Sequence, residues 1–232
     1  MPTRAYGAPN ADARADGLRA ALAACPVLAI LRGVRAENAA AIATALVDAG
    51  VTLIEIPLNE PHARAALTAI VAACGERALI GAGTVTQHDE ITLCVALGLR
   101  FVVSPHIDPA LVVAAKTRGL FAIPGVMTPT EAFTARAAGA DALKLFPAEQ
   151  IPPRMTRALR TTLGPETLLL AVGGVTAETM RAYAYGGVDG YGLGAALYTA
   201  GRPVAAVKAA AEALVAAARA AQQSRRLRED TP

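Results

Sequence analysis

The chain has 232 residues, 22 Lys and Arg against 19 Asp and Glu, a formal charge of +3, and 54% hydrophobic residues with no Trp. That length suits one large domain or two small ones and can bury a substantial core. No apolar run approaches the roughly 20 residues that a membrane helix needs, and the basic excess at Arg225-Arg226-Leu227-Arg228 reads as a solvated tail rather than a nucleic-acid surface.

Residues 1–17 mix Arg, Asp, Pro and Gly without a hydrophobic core and are expected to form a flexible segment that is neither signal nor anchor. Beyond them, short apolar runs alternate with helical patterns at a steady spacing. Strands are expected at 27–31, 52–57, 78–81, 101–104, 120–123, 142–146, 168–171 and 190–193, with amphipathic helices such as 36–49, 63–74, 90–97, 130–138 and 176–185 between them. Gly50, Gly75, Gly98, Gly119, Gly139 and Gly186 follow helical patterns and are expected as left-handed caps. Alternating strands and helices imply parallel strands with right-handed crossovers. Eight such units fit a closed (β/α)8 TIM barrel forming a single α/β domain over 18–220, with a flexible charged tail at 221–232. A doubly wound open sheet is the alternative, but Leu31-Arg32-Gly33-Val34 after the first strand is no dinucleotide fingerprint.

In such a barrel the carboxyl ends of the strands carry the chemistry. In Leu53-Ile54-Glu55-Ile56-Pro57-Leu58-Asn59 the period-two pattern places Glu55 opposite Ile54 and Ile56, and in the sixth strand Lys144 lies opposite Leu143 and Leu145. If the branched apolar faces pack on helices, both ionisable groups point inward and can approach each other. One reading is a structural ion pair. The other is a lysine of depressed pKa acting as nucleophile, with the glutamate moving protons. Thr84, in Gly83-Thr84, suits either a substrate contact or the cap of the next helix. Gly173-Gly174 and Gly194-Ala195, after the last two strands, suit a phosphate held by backbone N–H groups. Cys25, Cys74 and Cys94 have no metal-like spacing and read as buried thiols in a reducing cytosol, and His62, His88 and His106 suit no metal motif.

The segments Ile30-Leu31-Arg32-Gly33, Glu55-Ile56-Pro57-Leu58-Asn59, Gly81-Ala82-Gly83-Thr84-Val85, Ser104-Pro105-His106, Leu143-Lys144-Leu145-Phe146-Pro147 and Ala171-Val172-Gly173-Gly174-Val175 resemble the 2-keto-3-deoxy-6-phosphosugar-acid aldolases. The resemblance implies a metal-free, cofactor-free class I aldolase, cytoplasmic and homotrimeric, with no nucleic-acid or membrane partner. It would cleave a phosphosugar acid to pyruvate and glyceraldehyde 3-phosphate. It makes Lys144 the Schiff-base lysine, Glu55 the general acid/base and Thr84 a holder of the pyruvate carboxylate, with Pro105 and Phe146 also at the substrate. Arg32 together with Asn59 matches the 6-phosphogalactonate branch, in which Arg32 would clamp a carboxylate. The same reaction on the 6-phosphogluconate epimer and a non-catalytic sugar-phosphate-binding barrel are the alternatives. Ala195 departs from the serine usual in the galactonate branch, which leaves backbone donors to hold the phosphate.

Overall fold

The computed structural model describes residues 11–229. The strands are β1 (Val27–Ile30), β2 (Leu53–Pro57), β3 (Leu79–Gly83), β4 (Phe101–Val103), β5 (Phe121–Ile123), β6 (Gly125–Val126), β7 (Ala142–Leu145), β8 (Leu168–Val172) and β9 (Gly190–Leu193). The helices are α1 (Ala11–Ala24), α2 (Ala36–Asp48), α3 (Ala63–Cys74), α4 (His88–Ala96), α5 (Pro109–Thr117), α6 (Pro129–Ala137), α7 (Pro153–Leu163), α8 (Ala177–Tyr185) and α9 (Val204–Glu229). None of them is long and apolar enough to cross a membrane.

All strand pairs are parallel, and the sheet runs β5-β4-β3-β2-β1-β9-β8-β7-β6. Its two edges, β5 and β6, are halves of one stretch of chain interrupted at Pro124, so the edges meet and the sheet closes into the expected (β/α)8 barrel. Pro124 has no N–H to give to a ladder, yet its carbonyl accepts from Lys144 N at 2.9 Å, flanked by bonds from Asp141 N to Ala122 O (3.0 Å) and Phe146 N to Val126 O (3.2 Å). The fifth strand therefore runs past the expected end at 123.

Side chains alternate between two cores. Ile54, Ile56, Leu143 and Leu145 face outward into the layer between strands and helices, as the period-two pattern requires. Leu28, Leu53, Phe101, Phe121, Leu168 and Leu170 fill the interior. Two further interior residues, Leu18 and Leu22, come from α1, which lies across the amino ends of the strands. It is tied there by the bond from Thr52 Oγ1 to Ala21 O at 2.9 Å and from Arg19 Nη2 to Glu166 O at 2.7 Å. The helix already includes residues 11–17, part of the segment expected to be flexible; residues 1–10 lie outside the described chain.

Three other expectations are corrected. The chain past 220 is not a loose tail as far as Glu229: it continues α9, where Gln222 Nε2 donates to Val188 O (3.0 Å) and Tyr191 Oη (3.3 Å) and Arg225 Nη1 donates to Val188 O (2.7 Å). Four of the six predicted glycine caps have positive φ, but Gly75 and Gly186 stay right-handed, at φ −61° and −72°, because their N–H groups still close the last helical turn onto Val71 O and Ala182 O. Thr84 does not cap α4, whose N-cap is Gln87, its N–H donating to Glu90 Oε2 at 2.9 Å.

Candidate active site

Interior positions near the carboxyl ends of β2 and β7 bring Glu55 and Lys144 to the floor of a cavity of about 700 Å3. Glu55 is 2% exposed and Lys144 8% exposed. Removing ionised groups from water favours their neutral forms. Burial accordingly pushes the Glu55 carboxyl from its ordinary 4.5 up to about 7, against the attraction of Lys144 and Arg32. Burial also lowers the Lys144 amine; Glu55 opposes this and Arg32 reinforces it. No ion pair joins the two among the described residues. Glu55 Oε2 has no hydrogen-bond partner, and Lys144 Nζ lies 4.4 Å from the centre of the Phe146 ring. The arrangement is therefore an open pair facing a cavity, not the closed structural salt bridge that was the other reading of these residues.

The neighbouring strand makes room for the carboxylate. A methyl group on Gly83 would overlap Glu55 Oε2, so this strand end carries no side chain. The next residue, Thr84, has φ +55°. A β-branched residue in the left-handed region is a true outlier, costing about 1–3 kcal/mol, and this one lines the cavity. Strain retained at the mouth of a buried acid/base pair points to a residue held for what it contacts.

The cavity wall joins Arg32, Pro105 and Phe146 to Gly173, Gly174, Gly194 and Ala195. Gly173 and Gly174 both have positive φ, 99° and 69°, in the loop that leads through Thr176 into α8. Here successive N–H groups and a helix amino end can face an anion. The wall's cations are Arg32 and Lys144, so an anion at the glycine loops would meet backbone N–H groups and the Thr176 hydroxyl. Asn59 is not part of the wall; its Oδ1 instead accepts from Arg32 Nη1 at 3.4 Å. Seven further wall residues, Ile30, Pro57, Val172, Val175, Thr176, Gly192 and Ala196, were not among the expected site residues; all but Thr176 lack a polar side chain. Sequence reasoning also missed Glu60, whose Oε1 takes a 2.7 Å bond from Arg32 Nη1. The contact joins two loops distant in sequence and left no local signal.

A second cavity, of about 580 Å3, lies at the amino end of the barrel against α1 and α9. Its half-buried charges are already engaged: Asp189 takes bonds from Arg160 and Leu169 N, and Arg225 donates to Val188 O. The chemistry is therefore assigned to the carboxyl end, where Glu55 and Lys144 share one cavity.

The family model described as "Aldolase: KDPG and KHG aldolase" matches residues 18–199. The chain is 41% identical over 198 residues to 2-dehydro-3-deoxy-6-phosphogalactonate aldolase of Escherichia coli (strain K12), covering 85% of this chain and 97% of that one. It is 41% identical over 192 residues to a probable 2-dehydro-3-deoxy-6-phosphogalactonate aldolase of Rhizobium meliloti (strain 1021), covering 83% and 91%. A solved structure described as native KDPGal superimposes with a TM-score of 0.83 at 41% identity, over 85% of this chain and 96% of the other.

Proposed function

Because the chain belongs to the KDPG and KHG aldolase family, we propose that it cleaves 2-dehydro-3-deoxy-6-phosphogalactonate to pyruvate and D-glyceraldehyde 3-phosphate through a Schiff base on Lys144. The observation that carries the reading is the open pair of Glu55 and Lys144 in one cavity, each displaced toward its neutral form. A neutral amine is a nucleophile, and a carboxyl that titrates near neutrality can both accept and return a proton.

The Nζ lone pair adds to the C2 carbonyl carbon. Proton transfers expel the former ketone oxygen as water and leave an iminium. Glu55 takes the proton of the C4 hydroxyl, the C3–C4 electron pair moves into the C2–C3 bond as the iminium accepts electrons, and the aldehyde departs. The enamine is protonated at C3, and one water hydrolyses the iminium to pyruvate and free Lys144, replacing the water released at the start. Arg32 carries the positive charge suited to the C1 carboxylate, Thr84 contacts the same end, and Gly173, Gly174, Gly194 and Ala195 face the C6 phosphate. Pro105 and Phe146 form apolar wall. Arg32 with Asn59, and the 41% relatives named for the galactonate substrate, support that epimer.

The same reading places the protein in the cytoplasm, in galactonate degradation, as a homotrimer. Support for self-association comes from Val95, Val113 and Phe133, 44%, 51% and 47% exposed, on the consecutive, mutually packed helices α4, α5 and α6. Apolar side chains displayed in this way suit contact with a second copy.

Trapping tests the chemistry. Pyruvate with borohydride should add mass to the Lys144 peptide, Lys144→Met should abolish the adduct, and the trapped wild-type chain should be inactive. Turnover of the galactonate compound should exceed that of its C4 epimer. A free Lys144 in treated protein would refute the Schiff base; equal or reversed epimer rates would move the assignment to the gluconate substrate.

A further inference from the structure

We infer that Glu60 is a positioning residue: it holds the Arg32 guanidinium in the orientation that receives the substrate carboxylate. The inference rests on the aldolase reading of the cavity and concerns a residue that the reading leaves out.

Arg32 follows the end of β1 and is 55% exposed at its side chain, whereas Glu60 is only 20% exposed. The backbone of Glu60 is fixed on both sides, its N–H donating to Pro57 O (3.3 Å) and its carbonyl accepting from Ala63 N (3.1 Å) at the entry to α3. The carboxylate is therefore the anchored partner, and the arginine is the one that would otherwise swing. Both acceptors, Glu60 Oε1 at 2.7 Å and Asn59 Oδ1 at 3.4 Å, sit on Nη1. A guanidinium has five N–H donors in a rigid planar fork. Among the described residues nothing takes a hydrogen bond from Nε or Nη2 of Arg32. These two nitrogens form the edge that binds a carboxylate through two parallel bonds.

Two effects of Glu60 oppose each other. Its negative charge partly cancels Arg32 and repels an arriving anion. Its bond removes rotamer freedom from a long exposed side chain. Repulsion across a water-exposed rim is weak and screened, so the loss of freedom dominates, and Glu60 improves carboxylate capture.

The test uses the full chain and reads the pyruvate-concentration dependence of borohydride trapping at Lys144, together with KM and kcat for cleavage. Glu60→Ala should raise the half-saturating pyruvate concentration and KM by about tenfold, with kcat within about threefold. Glu60→Gln, which keeps an oxygen acceptor for Nη1, should recover part of the loss. In an Arg32→Leu background Glu60→Ala should have no further effect, because the residue acts through Arg32. Unchanged or lower half-saturation in Glu60→Ala would overturn the positioning role, as would an undiminished effect in the Arg32→Leu background. A wild-type chain that fails to trap at all would refute the aldolase reading instead, so the two failures are distinguishable.

Discussion

At the residue scale, the consequential fact is that a glutamate with one unpartnered oxygen sits 2% exposed, facing an amine. Such a carboxyl is expensive to ionise, and its displacement to about 7 places proton exchange in the working range of a neutral-pH enzyme. The proposed reaction needs Glu55 ionised to take the C4 proton and Lys144 neutral to attack, and both conditions fail as the solution is acidified. We therefore expect kcat/KM to fall below about pH 7, with the pair titrating as a unit. Glu55→Gln should cost about 10²- to 10⁴-fold in kcat and remove or displace that acid limb; a pH–rate profile unchanged in shape would contradict the assignment. Both side chains were legible in the sequence because strand alternation fixes direction once one face is branched and apolar. Glu60 was not, because its importance comes from meeting Arg32 across two loops, a non-local contact that no periodicity encodes.

At the element scale, the eight strand–helix units follow from apolar runs and their breaks, and the places where expectation failed have physical causes. Pro124 reads as a strand terminus because it lacks a donor, yet its carbonyl remains available and the ladder to β7 continues through it. The charged end of α9 reads as tail because its arginines look solvated, but two groups on the barrel, Val188 O and Tyr191 Oη, accept hydrogen bonds from Gln222 and Arg225. Helix α1 is the larger omission. Its sequence, ADARADGLRAALAA, has weak amphipathicity and a central Gly17, and its chief apolar anchors, Leu18 and Leu22, are one turn apart. They matter only because the barrel presents an open apolar end to receive them. Leu22 is 3% exposed, so Leu22→Ala should destabilise the chain by about 2–4 kcal/mol, measured by denaturant unfolding. A loss under about 1 kcal/mol would mean that α1 is not part of the core.

At the scale of the whole molecule, the buried pair of Glu55 and Lys144 opposes stability. The folded-state pKa of Glu55 lies above its unfolded value, so the folded chain binds the extra proton between about pH 4.5 and about 7. The contribution of this group is thus most favourable below that window and is lost as pH rises through it, by up to about 3 kcal/mol. The lowered Lys144 amine acts in the opposite sense at higher pH: its penalty is full below its folded pKa and is relieved as pH approaches 10.5. Glu55→Gln should therefore unfold at a higher temperature than wild type at pH 8, less the lost attraction to Lys144, with the advantage shrinking toward pH 4. An advantage independent of pH would show that the buried carboxylate is not its origin.

The stopper formed by Leu18 and Leu22 also determines traffic. With the amino end sealed, the barrel is a thimble rather than a pipe, and whatever enters must leave by the same rim. The three-carbon keto acid remains covalently moored after bond cleavage, while the phosphorylated aldehyde is untethered. Departure is then sequential, aldehyde before keto acid, and in the reverse, bond-forming direction the keto acid must be seated before its partner arrives.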